Sequence, residues 1–428
     1  MSNWSERDQK AIWHPFTHLK YAEKNIFVER TEGAFYFDDK GTKILDAISS
    51  WWVNLHGHRH PHIIRKIKEQ LDKNEHSIFS GFTHEGAIDF AERLLTHLPE
   101  GQQKLFYSDN GSTAVEVAVK MCLQYWSNKK INRTRFVAFE GAYHGDTFGG
   151  MSVGARNAFN LPFEKLLFDV RFFPPPLHAE TIDKDYFDAF EEIVSDQEVA
   201  AFIYEPLVQG AAGMRIMNAR ALNQLLEIAK SHGVFCIADE VMTGFGRTGT
   251  FFASDQLQSK PDLLCLSKGI TGGFMPLGLT TCTNALLEAF ISDNKYCTFF
   301  HGHSYTANPL AISAALGSLD LMEEETTWKK IKWISDEHKK QVNILRSHTA
   351  IQEIQSLGTI LSIQLKTKEK SSYLHSAAEN ISAYFIEKHI LIRPLGNIIY
   401  IIPPYCIERE DIDYIYQTIK KFLDDFKD

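Results

Sequence analysis

The chain has 428 residues, 44% of them hydrophobic, and a net charge of −9. That length fits two domains better than one, and an acidic balance with no basic block argues against a nucleic-acid groove. No apolar run is long enough to span a bilayer, and the polar opening 1–10 lacks the apolar core of a secretion signal, so no membrane partner is expected. The six cysteines form no C-x-x-C pair. Cys122, Cys236 and Cys265 lie among apolar neighbours and read as buried reduced thiols, which points to the cytoplasm.

In chain order, residues 12–17 form an aromatic loop. Residues 34–45 read as strand, Asp-Lys-Gly turn and strand. The stretch SSWW at 49–52 follows. Adjacent tryptophans are costly to leave exposed, so they read first as core and second as a ligand-facing wall. The run HGHRHPH at 56–62 is rich in imidazole. It has no second cluster at zinc-type spacing, and its glycine and proline make it a turn, so no metal site is expected. Helical spacing follows through residue 74.

From residue 104 the pattern becomes strand, glycine-containing turn, helix. Strands are expected at 104–108, 135–139, 200–204, 233–238 and 263–266, with helices at 114–126 and 219–231. Such alternation implies an α/β fold whose mainly parallel sheet carries helices on both faces. Ligands then bind beyond the carboxyl ends of the strands. The polar candidates cluster there: Ser108 and Asp109, Glu205, Asp239 and Glu240, Ser267 and Lys268. After Pro309 a helical stretch at 311–325 leads into an α+β tail, with short strands at 359–365, 391–393 and 398–402. The expected organisation is 1–55 as one part of a small domain, 56–310 as the large ligand-binding domain and 311–428 as the rest of the small domain.

A lysine where a buried strand runs out is badly placed for a core. It is well placed to lose solvation, become neutral and attack an aldehyde. If that aldehyde were pyridoxal 5′-phosphate, its phosphate would want a helix N-terminus with a hydroxyl beside it, as NGST at 110–113 supplies. The ring would want an aromatic face such as Tyr143 and a carboxylate on its nitrogen such as Asp239. Val241, two residues on, would give the other face an apolar contact. Each feature alone has a structural explanation as a cap, a core aromatic or a surface lysine; together they fall in order on consecutive strand ends.

The stretch DEVMTGFGRTG at 239–249, with Asp262 and SKG at 267–269, resembles the signature of the class III pyridoxal-phosphate aminotransferases, and the likeness covers nearly the whole chain. It implies the type I aminotransferase fold and a homodimer with sites shared between subunits. Lys268 would hold the cofactor and move the substrate proton, and Asp239 would pair with the ring nitrogen. Gly111 and Ser112 would bind phosphate, with Tyr143 and Val241 on the ring faces. Ser304, in HGHSYTANP at 301–309, would reach the phosphate from the partner subunit in place of the usual threonine.

Four further stretches, WHPFT at 13–17, SSWW at 49–52, GAYHGDT at 141–147 and RPLGN at 393–397, resemble one branch of that family. Its reaction gives an amino group to 8-amino-7-oxononanoate in biotin synthesis, with S-adenosylmethionine or lysine as donor. The likeness implies that Trp51 and Trp52 wall the substrate channel and that Arg393 pairs with the distal carboxylate. It also makes Tyr143, Arg247 and Gly302 substrate contacts and Glu205 a supporting residue. Phe16 stands where donors of the S-adenosylmethionine type usually meet a tyrosine, which keeps stacking and loses a hydroxyl. Besides a catalytically silent binding protein, two other readings compete. One is a class III enzyme for other ω-amino acids. The other is a nicotinamide-dependent dehydrogenase, since GFGRTG at 244–249 has G-x-G-x-x-G spacing, although it follows a carboxylate-bearing turn rather than opening a strand–helix unit.

Overall fold

The strand–turn–helix rhythm between 102 and 283 closes into a seven-stranded sheet. The computed structural model describes residues 4–21, 24–177 and 182–426. In chain order the strands are β1 (Gln102–Ser108), β2 (Arg135–Phe139), β3 (Val170–Phe173), β4 (Val199–Tyr204), β5 (Phe235–Asp239), β6 (Leu263–Leu266) and β7 (Gly278–Thr283). Their spatial order is β1-β7-β6-β5-β4-β2-β3. The expected strands occur close to their expected bounds. β3 and β7 are additions.

Strand β7 runs antiparallel to both β6 and β1. The link from β6 is too short for a crossover helix, so the chain returns the way it came. Its threonines are buried and satisfied. Thr280 donates to the Ala114 carbonyl at 2.7 Å and Thr281 to Gln102 Oε1 at 2.6 Å.

Both faces of the sheet are covered. Along β4, Ala201 and Ile203 join the core under the helix Gly111–Asn128, and Phe202 and Tyr204 join the core on the other face, with the helix Ala219–Ser231. That alternation is the period of two expected of a strand buried on both sides. Cys122, Cys236 and Cys265 are buried and unpaired within these layers.

A second, four-stranded sheet joins the chain ends. Ile390–Leu391 lies parallel to Lys43–Asp46, which pairs with Phe35–Phe37. A three-stranded antiparallel sheet (Ile351–Leu357, Ile360–Leu365, Ile398–Ile401) packs with the long helix Glu325–Leu345. The helix expected at 311–325 is Pro309–Met322, capped by Asn308, whose side chain accepts from the Leu310 and Ala311 amides at 3.1 Å. No helix among the described residues is long and apolar enough to cross a membrane.

The imidazole-rich turn serves packing. His56 is buried against Ser318 at 3.2 Å, and burial pushes its pKa down to about 3. His62 reaches Asp320 at 2.6 Å, beside Lys66 at 3.1 Å and Arg93 at 2.8 Å. Asp320 thus ties the helices Pro61–Leu71 and Glu85–His97 to Pro309–Met322. Burial pushes its carboxyl up, but hydrogen bonds from His62, Arg93 and Lys66 outweigh that and hold it below the ordinary value. A depressed carboxylate pKa contributes stability above the unfolded value near 4, and the contribution is lost as pH falls through the folded value. Asp320→Ala leaves three cationic or proton-accepting groups facing one another. It should cost about 1–2 kcal/mol at neutral pH, read as a lower midpoint in thermal denaturation, with the gap from the parent closing below about pH 4.

Candidate active site

Lys268 is the first residue after the turn that closes β6, and its φ is +47°, a left-handed value that a side chain seldom takes. Ser267 fixes that turn by donating to the Leu277 carbonyl at 2.7 Å. The lysine lines a cavity of about 860 Å³ at the carboxyl ends of the strands, and its ammonium lies 4.7 Å from the centre of the Trp52 ring. Burial lowers its pKa to about 8, against the opposing pull of Asp239 and Glu205. A sizeable share of the amine is therefore neutral and nucleophilic near physiological pH.

Asp239 closes the neighbouring strand β5. One carboxylate oxygen accepts the Val241 amide at 3.1 Å, and the other meets His144 Nδ1 at 2.7 Å. His144 is buried, and its Nε2 has no partner among the described residues. Sequence reading placed Tyr143 in the site and passed over the histidine beside it, although both belong to the turn after β2. Glu205, at the end of β4, accepts the Tyr143 amide at 3.3 Å and the Gly210 amide at 2.8 Å. Burial raises its pKa to about 7, with Asp239 adding to the rise and His144 opposing it.

The third part is a helix N-terminus. Asn110 caps the helix Gly111–Asn128 by accepting the Thr113 amide at 2.9 Å. Ser112 in the first turn shares a 2.7 Å hydrogen bond with Thr147. Two glycines make this assembly possible. A Cβ on Gly111 would stand 2.7 Å from Val241 Cγ1, and one on Gly145, whose φ is +110°, would strike Ser112 Oγ at 2.3 Å. Amides, hydroxyls and the positive end of the helix dipole converge on one wall of the cavity, the donor set a phosphate needs. Val241 and Tyr143 line the same cavity. The residues present therefore fit the aldehyde, ring nitrogen, ring faces and phosphate of pyridoxal phosphate.

The wall toward the mouth is aromatic. The segment Ser49–Trp52 is strained, with φ of +52° at Ser49, +64° at Ser50 and +67° at Trp52. Side chains over-determine it: Ser49 donates to the Ile402 carbonyl at 2.7 Å and Ser50 to Asp46 at 3.0 Å. The two tryptophans differ in exposure. Trp52 is buried and donates to the Tyr400 hydroxyl at 3.1 Å, while Trp51 is 40% exposed, and both line the cavity. Phe16 packs edge-on against Trp51 with ring centres 5.4 Å apart. The Arg393 guanidinium lies 4.6 Å from the Trp51 ring centre and 5.8 Å from that of Phe16, and it has no carboxylate partner among the described residues.

Three expected contacts are not in this cavity. Arg247 is fully buried and donates to the carbonyls of Pro403, Trp52 and Asn54 at 3.0–3.3 Å. Both Nη atoms are committed to the backbone and the residue does not line the cavity, so it fixes the tryptophan segment from behind. The GFGRTG stretch is accordingly a turn wrapped round this arginine, not a dinucleotide loop. Gly302 and Ser304 sit exposed on a loop outside the cavity of their own chain.

The family described as aminotransferase class-III matches residues 18–423. The chain belongs to the class-III aminotransferases. As such it is a pyridoxal-phosphate-dependent transaminase with the type I fold. The aminotransferase is 45% identical to the adenosylmethionine-8-amino-7-oxononanoate aminotransferase of Synechococcus elongatus, over 97% of this chain and 98% of the relative. Against the enzyme of that name from Geobacter sulfurreducens, identity is 37% over 97% of this chain and 96% of the relative. A crystal structure of the enzyme of that name from Methanocaldococcus jannaschii matches with a TM-score of 0.92 at 35% identity, covering 98% of both chains. An amine transaminase from an uncultivated Pseudomonas species, solved in its pyridoxal-phosphate-bound form, matches with a TM-score of 0.89 at 29% identity, over 96% of this chain and 97% of that one.

Proposed function

We propose that this transaminase gives an amino group to the ketone of 8-amino-7-oxononanoate, forming the 7,8-diaminononanoate of biotin synthesis. The observation that carries the reading is the unpaired Arg393 at the end of an aromatic wall. An acceptor with an aliphatic chain and a distal carboxylate matches both, the chain along Trp51 and Trp52 and the carboxylate on the guanidinium fork. The names of the full-length relatives support it.

Bound pyridoxal phosphate would supply an electron sink and a carrier for the amino group. Lys268 holds the cofactor at rest and then carries the proton to and from the substrate carbon. Asp239 keeps a proton on the ring nitrogen, and Gly111 and Ser112 hold the phosphate. Tyr143 and Val241 fix the ring plane. Phe16 offers the donor a stacking face; S-adenosylmethionine is the preferred donor and lysine the alternative. The enzyme works as a cytoplasmic homodimer in which Gly302 and Ser304 complete the partner's site, consistent with their exposure away from their own.

The test is product formation from 8-amino-7-oxononanoate, with S-adenosylmethionine and lysine supplied separately. Faster turnover of 4-aminobutyrate than of the oxononanoate would overturn the substrate reading in favour of another ω-amino acid enzyme. In the same assay Arg393→Ala should raise KM for the acceptor about 10- to 100-fold, with kcat far less affected, because the guanidinium binds ground and transition states alike.

A further inference from the structure

Phe16, Phe159 and Tyr373 come from three distant stretches of chain and meet at the cavity mouth. Tyr373 lies edge-on to Phe159, with ring centres 4.7 Å apart, and its ring centre is 6.5 Å from that of Phe16. It is half-buried and lines the cavity, yet its hydroxyl has no hydrogen-bond partner among the described residues. The hydroxyl is thus free to donate to a bound molecule.

The loop bearing Tyr373 is docked onto the segment bearing Arg393. Ser371 donates to Asn397 Oδ1 at 2.7 Å. Gly396, with φ +64°, lets the backbone come so close to the Ser372 carbonyl that a Cβ there would clash outright. Residues 371–372, just before Tyr373, are thus packed on 396–397, just after Arg393. The side chains are also electrostatic neighbours. Tyr400, buried beneath them, has its ionisation opposed first by burial; Arg393 then favours it and Tyr373 disfavours it. The Phe16 ring centre lies 5.8 Å from the Arg393 guanidinium and 6.5 Å from the Tyr373 ring centre.

We propose that the Tyr373 hydroxyl and the Arg393 guanidinium form a two-pronged site for the terminal carboxylate of the substrate, with Tyr373 as a specificity-determining residue. The inference rests on the proposed reading of this cavity as an acceptor site. A guanidinium alone attracts any anion. A phenolic O–H beside it adds a second directed donor, and the rigid aromatic collar sets where the carboxylate must lie, and so the chain length that reaches Lys268.

The experiment compares Tyr373→Phe with the parent enzyme, both loaded with cofactor, on 8-amino-7-oxononanoate and on its methyl ester. Phenylalanine keeps the collar and removes only the hydroxyl. KM for the acid should rise about 5- to 10-fold, KM for the ester should stay within about twofold, and the cofactor absorbance should not move. An unchanged KM for the acid, or equal losses on acid and ester, overturns the proposal. Parent turnover of the oxononanoate tests the substrate reading by itself. If it fails, the same acid-to-ester ratio is measured on 4-aminobutyrate and its ester, where a ratio unaltered by the substitution again overturns the role of Tyr373.

Discussion

Lys268→Ala should abolish transamination, with kcat falling by at least about 10³-fold, and the cofactor should then be released by dialysis. The parent protein loaded with pyridoxal phosphate should show an absorbance band near the visible edge that borohydride removes. The alanine variant should lack a borohydride-sensitive band. Lys268→Arg is the useful control, since it keeps charge and bulk but cannot lose a proton in the working range, and it should be as inactive as alanine. The pH dependence follows from the same residue. Burial lowers the amine to about 8, so the neutral form grows as pH rises through that value. Cofactor capture by the apo-protein should speed up between pH 7 and 9 and level off above. A borohydride-reducible band that survives in Lys268→Ala would place the attachment elsewhere.

The sequence made the Asp239–Lys268 pairing legible because parallel strands deliver their carboxyl ends to one edge. Once the strand rhythm is recognised, residues that end successive strands must be neighbours. Asp239 and Cys265 are register partners across β5 and β6, so Asp239 and the turn at Lys268 follow from topology alone. Residues placed by long-range packing were harder to read. Arg247 was expected as a substrate contact only through the family likeness; the fold reveals carbonyls from 52, 54 and 403 closing around it. Tyr373 lies in a polar loop with no motif, and its importance arises from the docking of 371–372 on 396–397. His144 could have been found, since it directly follows Tyr143 on a strand-end turn, where two successive polar or aromatic side chains seldom serve packing alone. β7 escaped because a short antiparallel return leaves no crossover helix to announce it.

Asp239→Asn should leave the fold and cofactor attachment intact and slow transamination by about 10²–10⁴-fold. In the proposed role the carboxylate would favour a protonated ring nitrogen, which would let the ring act as an electron sink. An amide carries no charge to favour that proton, and its NH₂ can donate to the bare nitrogen, stabilising the wrong state. His144 decides how well the carboxylate does this. Its 2.7 Å bond from Nδ1 holds one carboxylate oxygen while the Val241 amide holds the other, so the carboxylate is held in one orientation. His144 acts through Asp239, and its removal should therefore cost less. His144→Gln, which retains an amide donor, should lose about 10-fold in kcat, and His144→Leu more. In the double variant with Asp239→Asn the His144→Leu change should add little, because the group it positions is already disabled. Fully multiplicative losses in the double variant would mean that His144 has a separate task, with its free Nε2 as the atom to pursue.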